Sequence, residues 1–293
     1  MYEVAMDKRD KLSRVVSAAE KKSEQAARQA EKAARRVEKL ASKATRHAEN
    51  LDRLASHLDA LEVWTRGESR TRQPRFTREQ IAKAAVRVAD AEGFAALSMR
   101  RLAAELEAGT MTLYHYIRTK DELLTLVTDA VMSEVVVPDD EPLPADWKAA
   151  ITVIATRTKE ALLRHPWMLE VSDDPPIGPN SVRHFDQTLE AVASLDLGLA
   201  EKLDIVTAVD EYVFGHCFHA RESQQIEFAD DVKDYVNGLV ASGEYPQLAA
   251  LADQHGYDEL WEIVGTSMHD AGKFERNLAR LLQGIEADLP RNS

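Results

Sequence analysis

The sequence predicts an all-α chain in three parts: a long coiled-coil helix, a group of small helices, and a larger helical domain. Three observations carry this. Residues 1–66 contain no Gly and no Pro, hold thirteen alanines, and place apolar residues on a heptad spacing. The stretch GESRTRQPRF (67–76) then breaks the pattern, with Gly67 to stop a helix and Pro74 to block its continuation. From Thr77 to Glu286 a helical period dominates and no convincing alternating strand occurs.

The first part is the most regular. Val16, Ser23, Ala30, Val37, Ala44, Leu51 and Leu58 form one seam position. Leu12, Ala19, Ala26, Ala33, Leu40, His47, Leu54 and Leu61 form the other. This alternating 4–3 spacing is the signature of a coiled coil rather than of a merely amphipathic helix. An alanine column (Ala27, Ala34, Ala41, Ala48, Ala55) widens the stripe, and Glu24–Arg28 and Glu31–Arg35 support the outer face. A solvated single helix is the bland alternative. Residues 67–76 read as a basic linker carrying Arg70, Arg72 and Arg75, an arm suited to a DNA minor groove.

Composition narrows the function. Hydrophobic residues make up 44% of the chain, enough for a real core. No apolar run is long enough for a membrane span, and the N-terminus lacks an apolar signal region. The single cysteine, Cys217, excludes an internal disulfide framework and multi-cysteine zinc sites, and fits a reducing cytoplasm. Charge is divided: residues 1–120 hold 25 Lys/Arg against 17 Asp/Glu, and the remainder hold 12 against 33. A polyanion partner would therefore meet the first 120 residues.

Helices are expected near 77–92, 98–106, 110–117, 120–136, 145–164, 179–195, 199–222, 229–240 and 258–287. Loops are expected at 138–146, 172–181 and around Gly243–Pro246. Thr77-Arg-Glu-Gln80 and Thr119-Lys-Asp-Glu122 read as capping boxes, and Ser98 as a further cap. Between them, Glu107-Ala108-Gly109 is a three-residue turn before a short helix anchored by Leu113 and Ile117. Helix, tight turn and short helix form the layout of a DNA-reading unit. On this reading Thr110, Met111, Thr112, Tyr114, His115 and Tyr116 are displayed to a major groove, and Lys120 sits at a helix start that favours an anion. From pattern alone, three small helices packed into a larger domain fit equally well.

Residues 77–127 resemble the DNA-binding domain of the tetracycline-repressor (TetR) family. The matching residues are Ile81, Ala84-Ala85, Gly93-Phe94, Ser98-Met99-Arg100-Arg101-Leu102-Ala103, Leu113-Tyr114 and Lys120-Asp-Glu-Leu-Leu124. The resemblance implies base contacts from Thr110, Thr112 and His115, and phosphate contacts from Thr77, Tyr114, Tyr116 and Lys120. One departure is Glu107, where the family usually has a turn glycine. The rest of the chain matches more loosely, through phrases such as Arg164-His-Pro-Trp167 and Gly178-Pro-Asn180.

The implied organisation is a coiled-coil helix (1–66), the basic linker (67–76), a helix-turn-helix domain (77–123), and a helical ligand-binding and dimerisation domain (124–293). In the last, Trp147, Trp167, Met168, Phe185, Phe214 and Phe218 offer apolar lining for a ligand, and His184, His216, His219 and Glu211 offer polar points. The apolar row Leu203, Val206, Val209, Val213 and Cys217, with the row along 258–287, would pair with two-fold mates in a homodimer. His216, His219 and Glu211 share a helix stretch compatible with a metal, but none is assigned, and no cofactor is expected. The His216-Cys217 pair lacks a partner at a catalytic spacing, so no enzyme activity is expected.

The leading expectation is a cytoplasmic, ligand-responsive repressor that binds a palindromic double-stranded operator as a dimer and is released by a small-molecule inducer. Two alternatives remain: an architectural protein that bridges DNA through its coiled coil, and an adaptor whose residues 1–66 recruit another protein or drive a higher assembly.

Overall fold

A long helix becomes the backbone of a domain when its buried polar groups are satisfied by the elements laid against it. Residues Lys120–Val135 (α4 below) are such a helix. The computed structural model describes residues 60–66, 75–171, 177–223, 228–270 and 272–290; the heptads of 1–59, Arg70 and Arg72 lie outside them. The helices are α1 (Arg78–Glu92), α2 (Met99–Glu105), α3 (Thr110–Leu113), α4 (Lys120–Val135), α5 (Trp147–Arg164), α6 (Pro179–Ala191), α7 (Leu199–Ser223), α8 (Asp230–Ala241), α9 (Pro246–His255), α10 (Tyr257–His269) and α11 (Lys273–Asp288). No strand occurs among the described residues.

The predicted helix starts have physical caps. Thr77 and Gln80 form a complete capping box on α1. Ser98 Oγ accepts the Arg101 amide at the start of α2, and Thr119 Oγ1 accepts the Glu122 amide at the start of α4. The second expected box is only half formed. The Glu122 carboxylate accepts the Arg118 amide and a guanidinium N–H of Arg66 instead of reaching back to Thr119.

α1 packs on α4 through Ile81, Ala85, Val88, Leu123 and Val127, all essentially inaccessible to solvent. The other face of α4 meets α5 and α6. Here Asp129, 4% exposed, accepts the Asn180 backbone amide at 2.9 Å and the Asn180 side-chain amide at 2.8 Å. At the end of α4 the Arg157 guanidinium donates to the carbonyls of Glu134, Val135 and Val136. Those carbonyls have no partner inside the helix, and a cation there also suits the helix dipole. Gln187 closes the end by exchanging hydrogen bonds with the backbone of Val137.

Four expectations require correction. The helix expected over 258–287 is two helices, α10 and α11, broken at Asp270–Gly272. The Asp270 backbone is extended, and its carboxylate accepts the Gly272 amide and pairs with Arg276. Residues 246–255, where no helix was expected, form α9 with Pro246 in its first turn. α3 is four residues long with turns to Ile117, shorter than the expected 110–117. Residues 60–66, read as the end of the heptad helix, are helical through 65 but bury Ala60 and Val63 rather than the seam residue Leu61. Val63, with Trp64 beside it, packs on the main core, so this segment presents a different apolar face from the heptad seam.

Val206, Val209, Val213 and Cys217 of α7 face the chain's own core, as do Leu278 and Leu282 of α11, while Val264 of α10 is exposed. Lys159 joins α5 to α11, with its Nζ 2.7 Å from Glu275 and 4.4 Å from the centroid of the Phe274 ring.

Two predictions follow from these buried groups. A Cβ on Gly178 would lie 2.1 Å from Asp129 Oδ1, so Gly178→Ala should cost about 1–3 kcal/mol in urea unfolding. An unchanged midpoint would show that the loop adjusts freely. Burial pushes the Asp210 carboxyl up to about 6 from 3.8. Its folded value lies above its unfolded one, so folding penalises the charged form. That penalty is complete above about pH 6 and fades as pH falls towards 3.8. Asp210→Asn should therefore raise the unfolding free energy at neutral pH by on the order of 1–3 kcal/mol, and leave it unchanged near the unfolded pKa. Equal gains at both pH values would contradict the burial argument.

Candidate nucleic-acid interface and ligand cleft

The turn between α2 and α3 sets how the short helix is presented. Ala108 N–H donates to Ala103 O at 2.9 Å and Glu107 N–H to Ala104 O at 3.2 Å, the paired bonds of a Schellman ending. That ending needs a left-handed residue, and Glu107 supplies it with φ of 50°, the one non-glycine positive φ among the described residues. The site where glycine was expected thus keeps the glycine conformation with a glutamate in it. Such a residue costs about 1 kcal/mol or more. The Arg75 guanidinium, expected in a minor-groove arm, donates to the Glu107 carbonyl at 2.8 Å and lies over the Phe76 ring.

α3 is pinned by Leu113 and Ile117, both 0% exposed. Around these anchors Met111 is 73% exposed and Tyr114 46%; His115 and Lys120 are exposed, and Thr110 and Thr112 half-buried. These side chains share one surface. Thr77 is exposed beside it, with its hydroxyl oxygen accepting the Gln80 amide. Tyr116 is a correction. It is 8% exposed, its hydroxyl accepts the Phe76 amide, and its ring meets Phe76 edge-on at 6.5 Å. It lies two positions past Tyr114, on the packed side of the turn, and ties the approach to α1 into the core.

The expected ligand-lining residues are not brought together. Trp147, Trp167 and Met168 are buried core residues. Trp167 stacks on Phe94 with centroids 5.6 Å apart and donates its indole N–H to Asp90 of α1 at 2.8 Å. Beside it, His165 is 3% exposed, with Nδ1 2.7 Å from Asp90 and Nε2 3.3 Å from Glu134 of α4. These residues join the reading unit to the C-terminal domain. Phe185 stands exposed on α6, and Phe214 and Phe218 on the outer face of α7.

The polar expectations fare differently. Glu211, His216 and His219 line one cleft of about 380 Å³ with Tyr212, Asp270, Lys273 and Asn277. Tyr212 stacks on Phe274 and donates its hydroxyl to the Phe274 carbonyl at 2.9 Å. Burial, aided by the Lys159 and Lys273 charges, pushes the His216 imidazole below its ordinary value and keeps it neutral at physiological pH. Sequence reasoning missed Asp270, Lys273 and Asn277, which the end of α10 and the start of α11 bring to the cleft. Cys217 points into the core and burial pushes its thiol up to about 11, so it does not fit a thiolate nucleophile. No group of three metal-ligating side chains occurs among the described residues. No described helix is long and apolar enough to cross a membrane.

Replacing Glu107 by Gly should stabilise the chain by about 0.5–1 kcal/mol, since it relieves the left-handed strain. It should also tighten DNA binding by removing a negative charge from the reading side. A lowered unfolding midpoint would mean that Glu107 makes a compensating contact.

Comparison with known proteins agrees with this geometry. The N-terminal pattern of the bacterial regulatory proteins of the tetR family matches residues 81–127, and the tetracyclin repressor-like C-terminal domain matches residues 141–289. The HTH-type transcriptional repressor DrrR1 of Streptomyces coeruleorubidus is 33% identical over 76% of this chain and 83% of its own. The class E tetracycline repressor protein of Escherichia coli is 24% identical over 52% of this chain and 72% of its own. The crystal structure of Streptomyces coelicolor ActR with actinorhodin superposes with a TM-score of 0.58 at 27% identity, covering 75% of this chain and all of that one. These relatives are transcriptional regulators. The chain belongs to the tetracycline-repressor family of ligand-responsive transcriptional repressors.

Proposed function

We propose that this chain represses transcription by binding a palindromic duplex operator as a homodimer, and leaves it when a small molecule occupies the C-terminal domain. The observation that carries the reading is α3, whose polar side chains stand on two fully buried anchors, Leu113 and Ile117. Thr110, Met111, Thr112 and His115 read base edges. Thr77, Tyr114 and Lys120 hold phosphates, and Tyr116 acts from the core. Arg75, held at the Glu107 carbonyl, fixes the turn rather than entering a groove. Two copies must set their reading helices about one helical turn, roughly 34–36 Å, apart.

The outer faces of α7 and α11 suit the dimer. α7 exposes Phe214 and Phe218, and α11 carries Gly284, where nothing beyond its own stretch of helix lies within 4 Å of a Cβ position. A mate can approach closely there. For the inducer, the cleft of Glu211, Tyr212, His216 and His219 has the size of a small-molecule site. The ActR complex with actinorhodin supports a small molecule in a domain of this kind. Neutral His216 and the tyrosine ring would take a partly apolar compound with hydrogen-bonding groups. The heptads of residues 1–59 support a further association of dimers.

The test is a duplex selected from a random pool by the full chain, followed by footprinting and titration of point variants. Tyr114→Ala and Lys120→Ala should weaken binding to selected and random duplexes alike. Thr112→Ala and His115→Ala should instead lower discrimination between them, by about 1–3 kcal/mol for a good base contact. Equal losses from all four variants on both duplexes would refute direct reading by α3, and a footprint without two-fold symmetry would refute the dimer.

A further inference from the structure

The DNA-binding match begins at residue 81, yet a charged side chain from before it enters the core of the reading unit. Arg66 ends the helical segment that buries Ala60 and Val63. Its guanidinium lies 2.6 Å from Glu122 Oε2, and its carbonyl accepts a hydrogen bond from Arg78 of α1. Glu122 is 2% exposed. Besides Arg66, the same oxygen accepts the Arg118 backbone amide at 2.8 Å. Arg118-Thr119-Lys120 is the turn that delivers Lys120 to the reading surface and aims the first amides of α4.

A buried carboxylate without a counter-ion is strongly disfavoured. Without Arg66, Glu122 would turn towards water and release the Arg118 amide, loosening that turn. It would also stand as a bare negative charge two residues from Lys120, where phosphates must approach. Arg66 prevents both. Its side chain is 18% exposed, and its Nε and Nη1 are buried, so it is not displayed to DNA itself.

We propose that Arg66 is a positioning residue for DNA binding: by neutralising and holding Glu122 it fixes the 118–120 turn and leaves the Lys120 charge available to phosphate. The proposal rests on the DNA-reading function above. It also makes the segment before the helix-turn-helix part of the reading unit, so that residues 60–66 move with it.

The experiment uses the full chain, the duplex selected by the parent chain, and a shuffled duplex of equal length. Affinity is measured against salt at a temperature where circular dichroism shows each variant folded. Arg66→Met should weaken both duplexes roughly 10-fold or more and reduce the log–log salt slope by about one. Arg66→Lys should stay close to the parent. Arg66→Met/Glu122→Gln should regain most of the loss, because the uncompensated carboxylate is gone. If Arg66→Met alone does not fold, the double variant still decides: affinity near the parent supports the role, and affinity tenfold lower overturns it. Parent-like binding by folded Arg66→Met overturns it, as does a double variant no better than the single, which would make Arg66 a direct contact or a purely structural one. A Lys120→Ala control separates the two failures. Normal loss in Lys120→Ala with none in Arg66→Met sinks only this proposal; no loss in either sinks the DNA-reading assignment with it.

Discussion

The buried carboxylate of Asp129 is the contact on which the layering of this chain depends. It sits in the middle of α4, the helix shared by the reading unit and the C-terminal domain, and it is satisfied entirely by the start of α6. Burial raises the pKa of such a group, and the amides of Asn180 and Ser181 work against that rise. An α4 packed on α1 alone would leave this charge unanswered. The C-terminal domain is therefore needed to make α4 a tolerable core helix, and Gly178 is needed to let the α6 start come close enough.

The same logic explains the other contacts along α4. Its terminal carbonyls are answered by Arg157, its Glu134 by Arg164 and His165, and its Glu122 by Arg66. Polar groups are arranged so that each end of the helix is completed by a different part of the chain. Removing one partner leaves a buried group unpaired, which costs more than the bond contributes when intact. Single replacements at Asp90, Arg157 or Asn180 should accordingly act over both domains, whereas exposed pairs such as Lys83–Glu79 should matter little.

Much of this was legible in the sequence where local chemistry decides. Thr77, Ser98 and Thr119 are caps because a short hydroxyl side chain can reach an amide of the next turn, whatever packs above it. Leu113 and Ile117 are anchors because their spacing puts them on one face. The phrases Arg164-His-Pro-Trp167 and Gly178-Pro-Asn180 stood out, and both prove to be clasps on α4 or α1. What failed was anything requiring knowledge of the partner surface. Tyr114 and Tyr116 are the same residue type two positions apart, and only the position of Phe76 makes one of them core. The α7 row faces its own core, and periodicity cannot say what an apolar row will meet. The α10–α11 break was hidden because the apolar row continues in register across Asp270–Gly272. Glu107 was flagged for its type, but its φ of 50° is set by the turn it closes.

These contacts also constrain how a ligand can act on DNA binding. α4 is held at its first turn by Thr119, Glu122 and Arg66, beside Lys120, and at its last by Arg157 and His165 of the C-terminal domain. Its interior is locked by Asp129, so it can shift as a rod but cannot easily bend. His165 and Trp167 converge on the Asp90 carboxylate, so α1 is tied to the same corner. A molecule that binds more tightly when this corner is displaced would carry α1 and α4 together and alter the spacing of the two α3 helices in a dimer. A molecule that filled the cleft without preferring either arrangement would shift nothing, however tightly it bound. On the reading proposed above, ligand occupancy would act on DNA binding through the 165–167 corner, because that is where α1 and α4 are both tied to the C-terminal domain.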